Sequence, residues 1–161
     1  MNSIYETSSS LAFLRRISRS RRSAGDTVES IPEYVEHRAA LLTPEYLDEL
    51  LRELPLLRIQ FAGIVAPGFP HLLAQLKLLS DIFEDSADGV FPGVSLAARK
   101  ETALVLRYTA KNTDVISDHV PEIGYADDSL IVRTVLKRHR GLFRDYCRFR
   151  KIRWSKITLA P

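Results

Sequence analysis

Six residues able to bind a hard cation fall within one fifteen-residue stretch: Asp114, Asp118, His119, Glu122, Asp127 and Asp128. Oxygen-rich clusters of this kind suit Mg2+, Mn2+ or Ca2+. A divalent metal held by Asp114, Asp118, His119, Asp127 and Asp128 would serve a metal-dependent hydrolase or a metal-binding regulator. The spacing is not that of an EF-hand, because Gly124 comes too late and the closing bidentate glutamate is missing. A simpler expectation needs neither metal nor other cofactor. Aspartates at helix ends accept from free backbone N–H groups and sit near the positive end of the helix dipole, for about 0.3–1 kcal/mol each. Asp127 and Asp128 do not make an acid–base pair, since adjacent helical residues diverge by about 100°.

A second constellation is basic. Arg133, Lys137, Arg140, Arg144, Arg148 and Lys151 recur at three- to four-residue steps, with Phe143, Tyr146, Phe149 and Trp154 interleaved. One long helix would carry the six cations as a continuous stripe, able to hold nucleic-acid phosphates, anionic lipid headgroups or an acidic protein. The plainer alternative is a solvated face partly neutralised by acids elsewhere. The lone cysteine, Cys147, sits among Arg144, Arg148 and Arg150, a setting that lowers a thiol pKa, although a half-buried structural thiol is expected. His37, His71 and His139 are scattered and read as surface or packing residues. No Gly-rich phosphate loop, His-Glu-x-x-His pair or nucleophile elbow is present, so no catalytic residue is assigned.

Between these features lies a turn. Pro121 locks φ and Gly124 permits φ > 0, while Ile116, Val120, Ile123 and Tyr125 interleave as inward anchors. Asp114, Ile116, Asp118, Pro121, Gly124, Asp127 and Asp128 stand at the spacing of an Asp-x-Ile-Pro-Asp-x-Ile-Pro-x-x-Gly-x-x-Asp-Asp signature, with Val120 for the second Ile and Ser117 for the first Pro. In this the chain resembles the YkvA-like bacterial domain of unknown function 1232, over about Leu72 to Leu136. The resemblance implies two apolar helices joined by the turn and carries no activity with it.

The elements that must position these residues read as helices. Thr43-Pro44-Glu45 is a helix start, followed by Leu47, Leu50, Leu51 and Leu54 at helical spacing, with Pro55 expected to break or bend the helix. Leu56 to Ala66 is apolar on nearly all sides and is expected to be buried. A third helix is expected from about Pro70 to Asp85, a fourth after a Ser95 cap towards Asn112, and a long last one from Asp127 or Asp128. The last would turn Ile131, Val135, Leu142, Tyr146 and Phe149 inward and would be weakest at Gly141. Strand alternation is almost absent. The fold class is therefore all-α: a compact bundle of five or six helices, with the acid-rich turn before a long basic C-terminal helix.

The 161 residues, 45% hydrophobic and 27% charged, suit one domain of ordinary globular composition. Residues 1–30 are expected as a flexible basic tail, 31–153 as one helical domain and 154–161 as a C-terminal tail. With a single cysteine no intrachain disulfide forms, and a cytoplasmic location fits, peripheral to the membrane if lipid is the partner. No run reaches the roughly 18–20 apolar residues of a membrane span. Charge is segregated: residues 1–25 hold five arginines against Glu6 (net +4), residues 26–132 eight bases against eighteen acids (−10), and residues 133–161 ten bases against Asp145 (+9). An acidic body with basic ends can pair internally, with another copy of itself, or with a polyanion. The leading expectation is thus a helical binding or scaffold module whose basic ends meet an acidic partner.

Overall fold

The computed structural model describes residues 29–115 and 125–160, with side chains described for 29–110 and 125–160. The described residues form six α-helices and a 3-10 turn, with no strand among them. Helix α1 (Ile31–Ala40) is fixed at its start by a capping box. Ser30 Oγ accepts from the Glu33 N–H (3.4 Å), and the Glu33 carboxylate accepts from the Ser30 N–H (2.8 Å). Helix α2 (Pro44–Ala62) starts where Thr43 Oγ1 accepts from the Tyr46 N–H (3.3 Å). Helix α3 (Leu72–Ala87) leads to a loop turned by Gly89 and Gly93, at φ 73° and 91°, values that L side chains rarely adopt. Helix α4 (Leu96–Val115) follows Ser95, whose hydroxyl accepts from the Ala98 N–H (3.1 Å). Helices α5 (Ala126–Arg138) and α6 (Arg140–Phe149) and the turn Trp154–Lys156 complete the fold.

Helix α4 lies at the centre, packed against α1, α2, α3 and α5. Its Ala103, Val105, Leu106 and Ala110 join Leu47, Leu50, Leu54, Leu57 and Phe61 of α2, Leu76, Leu79, Ile82 and Phe83 of α3, and Ile131, Val132, Val135 and Leu136 of α5 in one core cluster. The α2 residues recur at alternating steps of three and four, the spacing that keeps one helical stripe facing its neighbours.

Four expectations change. Pro55 does not break its helix: α2 runs through it, because the proline sits on the exposed side while Leu54 and Leu57 continue the buried stripe. Leu56 to Ala66 is not buried all round. Leu56 (57% exposed), Ile59 (70%) and Val65 (73%) face outward. The expected long C-terminal helix is two helices, interrupted at His139 (φ −110°, ψ 33°) rather than weakened at Gly141, and Phe149 stays half exposed. Finally, the core extends past residue 153. Ile157 is buried, and the Gln75 side-chain amide donates to the carbonyls of Ile157 (3.2 Å) and Thr158 (2.8 Å), tying the chain end to α3.

Candidate functional site

The acid-rich connection falls mostly outside the described residues: Ile116, Asp118, His119, Pro121 and Gly124 entirely, and the side chain of Asp114. Asp127 and Asp128 lie in the first turn of α5, where the helix dipole favours negative charge. They diverge as adjacent helical residues must: Asp127 is half-buried and Asp128 fully buried. Burial, and after it the Asp128 charge, raises the pKa of the neighbouring Tyr125 phenol. Both aspartates engage other groups of the protein. Among the described residues, no three His, Cys, Asp or Glu side chains gather as a metal ion would need.

The basic stripe divides. Arg133 leaves it: the residue is 5% exposed, its Nε donates to the Ser129 carbonyl (3.3 Å), and it is held by further interactions. Lys137, Arg140, Arg144, Arg148 and Lys151 are exposed. Arg140, Arg144 and Arg148 form one i, i+4 row on the outer face of α6, whose inner face buries Phe143, Tyr146 and Cys147. Arg148 bonds to Asp145 (2.9 Å), an exposed pair of the kind that solvent screens heavily. Among the described residues, no carboxylate lies within ion-pairing distance of Lys137, Arg140, Arg144 or Lys151. Lys151 is presented by the end of α6. The Ile152 N–H donates to the Cys147 carbonyl (2.8 Å), closing a Schellman turn with Lys151 in the left-handed region at φ 56°.

Two polar clusters anchor this face, and the residue pattern alone did not reveal them. In the first, buried Glu101 of α4 accepts from Arg138 through both oxygens (Nε 3.1 Å, Nη2 3.0 Å) and from His139 Nε2 (2.9 Å), while Arg138 also reaches Glu36 of α1 (3.2 Å). Burial alone would push the Glu101 carboxyl up, but the hydrogen bonds and charges of His139 and Arg138 outweigh it and hold the carboxyl below its ordinary value. In the second, buried Asp85 at the end of α3 accepts from the Tyr146 hydroxyl (2.5 Å) and from Arg150 Nε (2.8 Å) and Nη2 (2.6 Å). Phe91 packs edge-on to Tyr146 with centroids 5.1 Å apart. Burial, then the Asp85 bond, raises the Tyr146 phenol well above its usual range. The residues carry no distinguishing signal for either acid: Glu101 follows Lys100, and Asp85 shares α3 with Asp81 and Glu84.

The remaining candidates read plainly. His37 pairs with Glu29 (2.6 Å), and His139 is the packing residue expected, with a carboxylate partner. Cys147 is buried, and burial pushes its thiol up to about 11, opposite to the activation that nearby arginines suggested. Among the described residues, no helix is long and apolar enough to cross a membrane. Comparison of the chain with family models, with curated proteins and with solved structures finds no match.

Proposed function

We propose that the protein is a polyanion-binding helical module that lays the outer face of α6 along a nucleic-acid phosphate backbone. One observation carries this reading: Arg140, Arg144 and Arg148 stand in a single exposed row, flanked by Lys137 and Lys151, on a helix whose opposite face is held by the core. Successive arginines of the row are about 6 Å apart along the axis, a step commensurate with neighbouring phosphates on one strand. Insertion into a bilayer fits less well, because an interfacial helix must sink an apolar face into lipid. The apolar face of α6, Phe143, Tyr146 and Cys147, is committed to the fold. The ion pairs of Arg138, the last residue of α5, and of Arg150, just past α6, fix the chain on either side of α6, so the row is offered on a held helix, which lowers the ordering cost of binding.

On the same footing we propose kinship with the YkvA-like domains, resting on Asp114, Ile116, Asp118, Pro121, Gly124, Asp127 and Asp128. The helix after that motif is here α5, whose Ile131, Val132, Val135 and Leu136 are buried.

Fluorescence anisotropy with labelled duplex and single-stranded oligonucleotides over a salt series tests the binding. Binding should weaken with salt, and the combined Arg140→Ala, Arg144→Ala, Arg148→Ala variant should lower the log–log slope by about one for each charge removed. Lys77→Ala, a cation on α3 paired with Asp81, should leave binding unchanged. Absence of binding at low salt, or binding that the triple variant retains, would overturn the proposal. So would tighter binding to phosphatidylserine vesicles or to an acidic protein.

A further inference from the structure

We propose that residues 11–22 of this chain dock antiparallel along the outer face of α2, their apolar end on Leu56 and Ile59 and their arginines on Glu45, Asp48 and Glu49.

The outer face of α2 is divided along its length. After the exposed first-turn Pro44, its exposed residues are Glu45, Asp48, Glu49 and Arg52 in the first half and Pro55, Leu56, Ile59 and Ala62 in the second, with Val65 just beyond. At 100° per residue these eight helical positions fall within a face about 140° wide, opposite the buried stripe Leu47, Leu50, Leu54, Leu57 and Phe61. Single exposed aliphatics need no explanation, but Leu56, Ile59 and Val65 follow one another along one helix face and its exit, each more than half exposed. The acids of the first half are as open. Among the described residues, no cation lies within ion-pairing distance of Glu45, Asp48 or Glu49.

The chain carries the complement of this face in reverse order. Leu11-Ala12-Phe13-Leu14 is apolar, Ile17 continues it, and Arg15, Arg16, Arg19, Arg21 and Arg22 follow, with no acid from 11 to 22. Running acidic to apolar, α2 is matched by a segment running apolar to basic only if the two lie antiparallel. In the parallel sense arginines would cover Leu56 and Ile59, and leucines the acids.

The reach is sufficient. The described chain begins at Glu29, just before α1, whose ten residues rise about 15 Å before a three-residue turn enters α2 at its acidic end. Residues 22–29 span up to about 24 Å, so Arg22 can return to the start of α2 and the segment can run on towards Ala62. An acidic first half repels anionic lipid and nucleic acid, which leaves a basic apolar segment as the fitting occupant.

The test uses the full chain, carrying a nitroxide at a thiol introduced by Ser18→Cys, since the buried Cys147 thiol does not compete for the label. Paramagnetic broadening of amide signals from residues 45–62 is expected, unchanged on dilution. It should be lost in Leu56→Ser/Ile59→Ser and kept in Val90→Ser, an exposed aliphatic off this face. Trypsin should cut between residues 15 and 22 at least about tenfold faster in the double variant, because cleavage follows the open population. Broadening centred on another helix, or none, would overturn the proposal. So would broadening that appears when labelled chains without isotope are mixed with isotope-enriched unlabelled chains, since the segment would then be docking on a second copy.

Discussion

Glu101 holds a carboxylate out of water at 3% exposure, and its worth to the fold depends on the Arg138 guanidinium and the His139 ring that reach it. Breaking a buried pair by removing one charge costs more than the pair contributes when intact, because the partner is left uncompensated. Glu101→Gln should therefore lower unfolding free energy at pH 7 by roughly 2–4 kcal/mol, as read by urea denaturation. The pH dependence has a definite sign. The folded-state pKa lies below the ordinary 4.5, so the stabilisation is fully present above about that value and is lost as pH falls through the folded pKa. The two proteins should differ at neutral pH and converge on acidification. An equal gap at pH 7 and under strongly acidic conditions would show that the hydrogen-bonding pattern, not the charge, is what Glu101 contributes. None of this was legible in the residue pattern, where Glu101 is one acid among the many of residues 26–132.

Helix starts were legible because they rest on local chemistry: Thr43 and Ser95 each accept from the N–H three residues on, as their positions before apolar runs implied. Interruptions were less so, because they depend on tertiary partners. Pro55 announced a break or a bend, and α2 runs on through it with the proline on the exposed side. At the interruption the nearest breaker is Gly141, two residues on, and His139 itself carries no backbone signal of a break. An uninterrupted helix would splay Arg138 and His139 by about 100°, whereas the turn at His139 lets both converge on the Glu101 carboxylate. Since Pro55 is exposed and its ring serves no buried contact, restoring an N–H for the Leu51 carbonyl should help α2. Pro55→Ala should stabilise by about 1–3 kcal/mol, the interior-proline penalty less the unfolded-state entropy that proline removes. A lowered midpoint in thermal denaturation would instead mean that α4 packs against a bend at Pro55.

At the scale of the molecule, charge segregation was the most legible property and the closure of the core the least. The acidic body and basic carboxyl-terminal region can be counted from the residues, and five of the six stripe cations are exposed. The sixth, Arg133, shows what counting misses: a three- to four-residue step repeats on a buried face as readily as on an open one. Closure depends on contacts distant in sequence. Residues 154–160 carry one strongly apolar β-branched side chain, Ile157, and nothing local marks it as core. It packs into the core, and Gln75, facing inward from α3, donates to the carbonyls of Ile157 and Thr158 and so ties the chain end to α3. Ile157→Ala should then cost about 2–4 kcal/mol, as for other buried aliphatics truncated to alanine. Gln75→Ala should add less than its separate cost, because both changes release the same segment. Full additivity of the two in urea denaturation would mean that Ile157 fills the core without help from the Gln75 tether.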